Sequence, residues 1–146
     1  MTRLILSFML LLLCMSCSRA DVGTMFEDYL WQNRLVLVFS PRANDERLTQ
    51  QREFLTDAAN GLKTRDIIQW EFVYLDSVNV DGQQKVHLST KPFYNEFDIG
   101  IRDFAVILIG KDGEVKHRTD KPIASQELFS IIDAMPMRQG EIEQAQ

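Results

Sequence analysis

A chain of 146 residues with 45% hydrophobic and 25% charged side chains has the length and balance of one ordinary globular domain. A formal charge of −5, with no concentrated basic face, argues against a nucleic-acid partner. Both cysteines, Cys14 and Cys17, stand within the first 17 residues.

The N-terminus reads as an address rather than as fold. Arg3 precedes an almost unbroken apolar run over 4–15, and about 12 apolar residues is the length of a secretory signal core. A bilayer-spanning helix needs about 20. Ser18-Arg19-Ala20 then sets small residues at the −3 and −1 positions of a cleavage site, which predicts a signal peptide over 1–20 and Asp21 as the new N-terminus. Cleavage removes Arg3 and Arg19 and leaves 14 basic against 21 acidic residues, a formal charge of −7, and no thiol. The alternative is a lipoprotein signal ending at Cys17. Ser16 suits the position before a lipidated cysteine, whereas Cys14 and Met15 fit the preceding positions poorly, and the sulfur would then be a thioether. The expected location is periplasmic or secreted, with membrane attachment only through Cys17. About 126 remaining residues can bury a core without disulfides or a metal.

The elements follow in order. Apolar residues at three and four spacing over 25–31 predict a short helix packed on the domain edge, with Trp31 as an anchor. Residues 35–39, Leu-Val-Leu-Val-Phe, form an apolar run that stops at Ser40-Pro41, the pattern of a strand buried on both faces. Helical spacing follows over 44–62, capped by Asn44 or Asp45, with Leu48, Leu55 and Leu62 inward and Gln50, Gln51, Arg52 and Asp57 on the wet side. A second strand over 67–75 alternates Ile68, Trp70, Phe72 and Tyr74 on one face, and a right-handed crossover makes it parallel to the first. Residues 76–92 read as a long polar loop containing Asp81-Gly82, and 91–99 as a short helix. A third strand over 104–109 has no polar residue. The turn Gly110-Lys111-Asp112-Gly113 returns the chain as an antiparallel strand over 114–118, charged as an edge should be. Ser125 starts a last helix that ends at Met135-Pro136-Met137. Residues 139–146 read as a polar, frayed tail, so the domain spans 21–138.

The predicted fold class is therefore α/β, a central four-stranded mixed sheet in the order β-α-β-α-β-β-α flanked by helices. This order resembles the thioredoxin fold. The stretches 34–41, 104–118 and 128–138, with Gly110-Lys111-Asp112-Gly113 at the turn and Asp133-Ala134-Met135-Pro136-Met137-Arg138 at the close, resemble one branch of it. That branch is the domain of unknown function shared by short exported bacterial proteins and vertebrate sushi-repeat and matrix proteins. The resemblance implies a thioredoxin-like, peroxiredoxin-like scaffold that generally lacks catalytic cysteines, with no established substrate, cofactor or catalytic residue. Redox-active thioredoxins carry cysteines in the loop after the first strand and a cis-proline before the third. Here the loop is Ser40-Pro41-Arg42-Ala43-Asn44-Asp45-Glu46, and Ile101-Arg102-Asp103-Phe104 contains no proline, so a trans peptide is expected there.

Thiol chemistry needs a thiolate. With none after residue 17, a disulfide oxidoreductase or thiol peroxidase is excluded. The chain shows no Ser, His and Asp arrangement, no glycine-rich phosphate loop and no metal-spaced cluster, His87 and His117 each standing alone. No cofactor or metal is expected. Ligands of open α/β sheets favour the crevice beyond the carboxyl ends of the strands. That edge gathers Arg42, Asp45, Arg47, Arg102 and Asp103, the candidate binding surface. The arginines suit a carboxylate or phosphate, and equally suit their own acidic neighbours as a solvated cluster. The expected function is a non-catalytic exported module that binds a protein of the periplasm or envelope. The alternative is a redox or hydrolytic accessory enzyme using non-thiol groups on the same edge.

Overall fold

The computed structural model describes residues 22–145. These run α1 (Val22–Glu27), β1 (Arg34–Ser40), α2 (Glu46–Asp57), α3 (Ala59–Lys63), β2 (Ile67–Val73), β3 (Ser77–Val80), β4 (Gln83–Gln84), α4 (Lys91–Glu96), β5 (Ala105–Ile109), β6 (Val115–Thr119), α5 (Ser125–Asp133) and α6 (Pro136–Gln144).

All seven residues of β1 are buried. The strand pairs in parallel with β2, Leu37 opposite Trp70, and antiparallel with β5, Leu37 opposite Ile107. The full sheet order is β4-β3-β2-β1-β5-β6. Because side chains alternate across a strand, β1 feeds two cores. Leu35, Leu37 and Phe39 pack with Trp70, Phe72, Ile107 and the α4 residues Phe93 and Tyr94. Val36 and Val38 pack with Val106, Leu108, Leu48 and Leu55 of α2, and Leu128 and Ile132 of α5. The first core is aromatic: Phe39 stacks on Phe72 at 4.7 Å, Phe93 lies 4.5 Å from Phe72, and Phe26 meets Trp70 edge-on at 5.1 Å. Such pairs add about 0.5–1.5 kcal/mol beyond their burial. The Tyr94 hydroxyl donates to the Ser40 carbonyl at 2.6 Å, tying α4 to the end of β1.

The fold is thioredoxin-like as expected, but the sheet has six strands rather than four. The two extra strands come from the stretch read as a loop. Asp81 and Gly82 take φ of 47° and 77°, the positive pair of a type I′ hairpin turn, and Val78 and Val80 alternate into the aromatic core. The helix expected over 44–62 is broken at Ala58 into α2 and α3. Gln51, read as solvent-facing, is fully buried. Its amide donates to the Ile123 carbonyl at 3.2 Å and accepts from the Ile123 N–H at 2.8 Å, so a backbone pair in the β6–α5 connection replaces water. Trp31 is not an anchor: it is 66% exposed, with φ 63° and its N–H on the Lys111 carbonyl, while Phe26 and Tyr29 take the packing role on Trp70. Every peptide bond among the described residues is trans, including those over 101–104. The predicted signal and the Cys17 alternative lie outside the described residues.

The expected frayed tail is a helix, so the ordered part does not stop at Arg138. Helix α6 buries no residue and is held instead by charge. Glu141 accepts from Nη2 of Arg34 at 3.1 Å, pairs with Lys111 at 2.8 Å and with Arg138 at 3.1 Å. Arg34, on β1, is 1% exposed; its guanidinium also donates to the Arg65 carbonyl at 3.0 Å. Lys111 continues to Asp66 at 2.8 Å, and Asp133 ties Arg65 to Arg138. Burial pushes the Glu141 carboxyl up, but hydrogen bonds from Lys111, Arg34 and Arg138 outweigh it and hold it at about 2 against 4.5.

A folded-state value below the unfolded one means stability that is complete above about pH 4.5 and is lost as pH falls toward 2. Glu141→Gln leaves the buried Arg34 without its counter-charge and should cost about 3 kcal/mol at pH 7. Urea denaturation from pH 7 to pH 2.5 should show the wild type losing this margin through the acid range and the variant falling less steeply.

Candidate functional site

The carboxyl end of β1 opens into the loop where redox relatives of the fold keep their cysteines. Ser40 is fully buried, and its hydroxyl donates to the Arg42 carbonyl at 2.9 Å, closing the turn. Asp45 has extended backbone angles (φ −70°, ψ 128°) and caps α2: Oδ1 accepts the Arg47 N–H at 2.9 Å. The same carboxylate grips the Arg47 side chain, Nε to Oδ1 at 2.9 Å and Nη2 to Oδ2 at 2.7 Å. Asp45 is only 6% exposed. The Arg47 hydrogen bond, helped by the Arg47 and Arg42 charges, holds its carboxyl below the ordinary range despite burial.

Arg47 extends from this pair over the Phe104 ring, 5.2 Å from the centroid. There it lines an open cleft of about 590 Å³ with Asp103, Phe104, Arg118, Thr119 and Asp120. Asp103 and Asp120 add to Asp45 in raising the Arg47 pKa. Arg118 donates to the Phe97 and Asp98 carbonyls at 2.8 and 3.0 Å, so edge strand β6 is cross-linked to the end of α4 and the cleft wall is fixed.

Three of the five sequence-predicted residues therefore meet: Asp45, Arg47 and Asp103. Arg42 is exposed and reaches Asp45 only through its field. Arg102 is exposed and its side chain has no ion pair among the described residues. Sequence reading missed Arg118 and Asp120, whose approach depends on the β5–β6 pairing that sets Thr119 opposite Val106 and carries no local signal.

Chemically, an arginine at this edge can donate to a carboxylate or phosphate. A general base needs a pKa near the working pH, and Asp45 is displaced away from it with both oxygens occupied by Arg47. Among the described residues no group of three or more His, Cys, Asp or Glu side chains is placed to hold a metal ion, and no helix is long and apolar enough to cross a membrane.

The profile of a domain of unknown function, DUF4174, matches residues 25–141. The chain belongs to this family. Coiled-coil domain-containing protein 80 of Danio rerio is 24% identical over 147 residues, covering 87% of this chain and 17% of that protein. Sushi repeat-containing protein SRPX2 of Xenopus laevis is 24% identical over 130 residues, covering 86% of this chain and 28% of that protein. The DUF4174 chain thus spans less than a third of the length of the curated relatives it matches. Among solved structures, the reduced 2-Cys peroxiredoxin of Plasmodium vivax superposes with a TM-score of 0.59 at 17% identity, over 79% of this chain and 83% of that one. Thioredoxin peroxidase I of Plasmodium yoelii gives 0.60 at 16% identity, over 77% and 78%. These likenesses show the fold, and the described residues carry no cysteine with which to share the chemistry.

Asp45→Ala removes a helix cap and should cost about 1–2 kcal/mol in urea denaturation. Asp45→Asn keeps an acceptor for the Arg47 N–H and should cost less than half as much. Because Arg47 is 42% exposed, Arg47→Ala should cost under about 1 kcal/mol.

Proposed function

We propose that this DUF4174 protein is an exported, non-catalytic module that binds another protein of the periplasm or envelope through the carboxyl edge of its sheet. One observation carries the reading: no residue after Cys17 is a cysteine, while the surface that a thiol site would occupy is intact and polar. Its one buried carboxylate is spent on capping α2 and holding Arg47. That leaves Arg42 and Arg102 as exposed charges without ion pairs among the described residues, Arg102 next in sequence to Asp103 of the cleft whose wall Arg118 fixes. Exposed arginines suit an acidic partner surface, because a guanidinium donates to a carboxylate in a fixed fork. The apolar run over 4–15 and the small residues at 18 and 20 support export, and the likeness to SRPX2, a sushi repeat-containing protein, accords with a secreted setting.

The test uses photo-crosslinking residues placed in living cells at positions 42 and 102, and at Gln84 on the far edge as control. A discrete adduct from 42 and 102 but not from 84, weakened by Arg42→Glu with Arg102→Glu at unchanged melting temperature, is the expected result. Adducts that form equally from all three positions, or from none, contradict the reading.

A further inference from the structure

The opposite end of β1 carries a second concavity, distinct in place and in chemistry from the edge just described. Its floor is Leu35 of β1 and Ile109 of β5, and its apolar walls include Phe26 of α1, Leu30, Phe97 and Val115 of β6. The volume is about 350 Å³, within the range of about 300–1,000 Å³ usual for small-molecule clefts.

The gap has a local cause. The β5–β6 turn needs Gly113 at φ +80°, and a Cβ there would stand 2.7 Å from Cδ2 of Leu30. Gly110, across the same turn, likewise leaves no side chain of its own beside α1, its flank being covered by the Asp112 and Lys116 side chains. Leu30 and Val115 consequently remain 36% and 51% exposed at the rim. Covering apolar surface of this kind returns roughly 25 cal/mol per Å².

The charge at the mouth is one-sided. Glu27, the last residue of α1, and Glu96, the last of α4, both line the cleft, and among the described residues neither has an ion-pair partner. No described lining residue is a lysine, arginine or histidine. The basic side chains of the hairpin nearest the cleft are engaged: Lys111 by Asp66 and Glu141, Lys116 by Asp112 and Glu114, and Arg118 by the Phe97 and Asp98 carbonyls. An apolar hollow with two unpaired carboxylates is complementary to one kind of small molecule.

We propose that this cleft binds a small amphiphilic cation, an alkyl- or arylamine whose apolar body lies against Phe26, Leu30, Phe97 and Val115 while its ammonium faces Glu27 and Glu96. The ammonium donates to the carboxylates, and the apolar body is what excludes water around them. This site is independent of the arginine edge, so either proposal can fail without the other.

The experiment titrates the processed protein at pH 7 with octylammonium, octanoate and uncharged octyl glucoside, followed by calorimetry and by backbone amide shifts. Octylammonium should bind saturably and at least about 10-fold more tightly than octanoate, a difference of about 1.4 kcal/mol. The shifts should centre on α1, the end of α4 and residues 109–115. Glu27→Gln with Glu96→Gln changes exposed residues and should erase the preference between the two charged probes. Val115→Trp, at a half-exposed position, should fill the cleft and abolish octylammonium binding with the melting temperature retained. Equal binding of octylammonium and octanoate, shifts centred elsewhere, or no saturation by about 5 mM overturns the proposal.

Discussion

Everything in this molecule is referred to one strand that water never reaches. Residues 34–40 are buried at every position, so β1 can persist only where both faces are covered and both edges paired. Parallel pairing with β2 forces α2 and α3 to cross one face, and α1 and α4 close the other. The thioredoxin-like architecture is the consequence of that requirement, and it is reached without a cysteine among the described residues.

The two ends of β1 are then treated differently. At the carboxyl end the polar groups are satisfied locally, Ser40 within its own turn and Asp45 by the helix it caps, and the remaining charges face solvent. At the amino end a buried arginine finds its counter-charge in Glu141, 107 residues further along the chain, and a further acceptor in the Arg65 carbonyl. Removing one partner of a buried pair costs more than the pair contributes. The clasp therefore makes α6, which buries no residue of its own, a fixed part of the domain. Local satisfaction of polar groups and long-range attachment thus sit at opposite ends of one seven-residue strand.

What the sequence revealed follows from how local each signal is. The apolar runs of β1 and β5 declare two-sided burial by themselves, and Asp45 sits at a helix start where a cap belongs. The Asp-Gly dipeptide was legible at 112–113 because strands of strong character flank it. The same dipeptide at 81–82 was not, since Ser77–Val80 and Gln83–Gln84 are short and half polar. Gln51 looked wet because its partner is a backbone segment 72 residues away. Helix α6 offers no apolar periodicity, for its hold is electrostatic and lies in Arg34, Lys111 and Glu141, which only the fold assembles. The gathering of Asp45, Arg47 and Asp103 was legible from strand order. The exclusion of Arg102 from it was not, because side-chain direction in the turn before β5 is set by tertiary packing.

A scaffold that superposes on peroxiredoxins and carries no cysteine after residue 17 offers no thiolate there for peroxidase or disulfide-exchange chemistry. The most direct measurement is consumption of hydrogen peroxide, and reduction of insulin with dithiothreitol as electron source, by the purified processed protein. No rate above the protein-free control in either assay is the predicted result. A rate that scales with protein concentration and survives repurification would contradict the account.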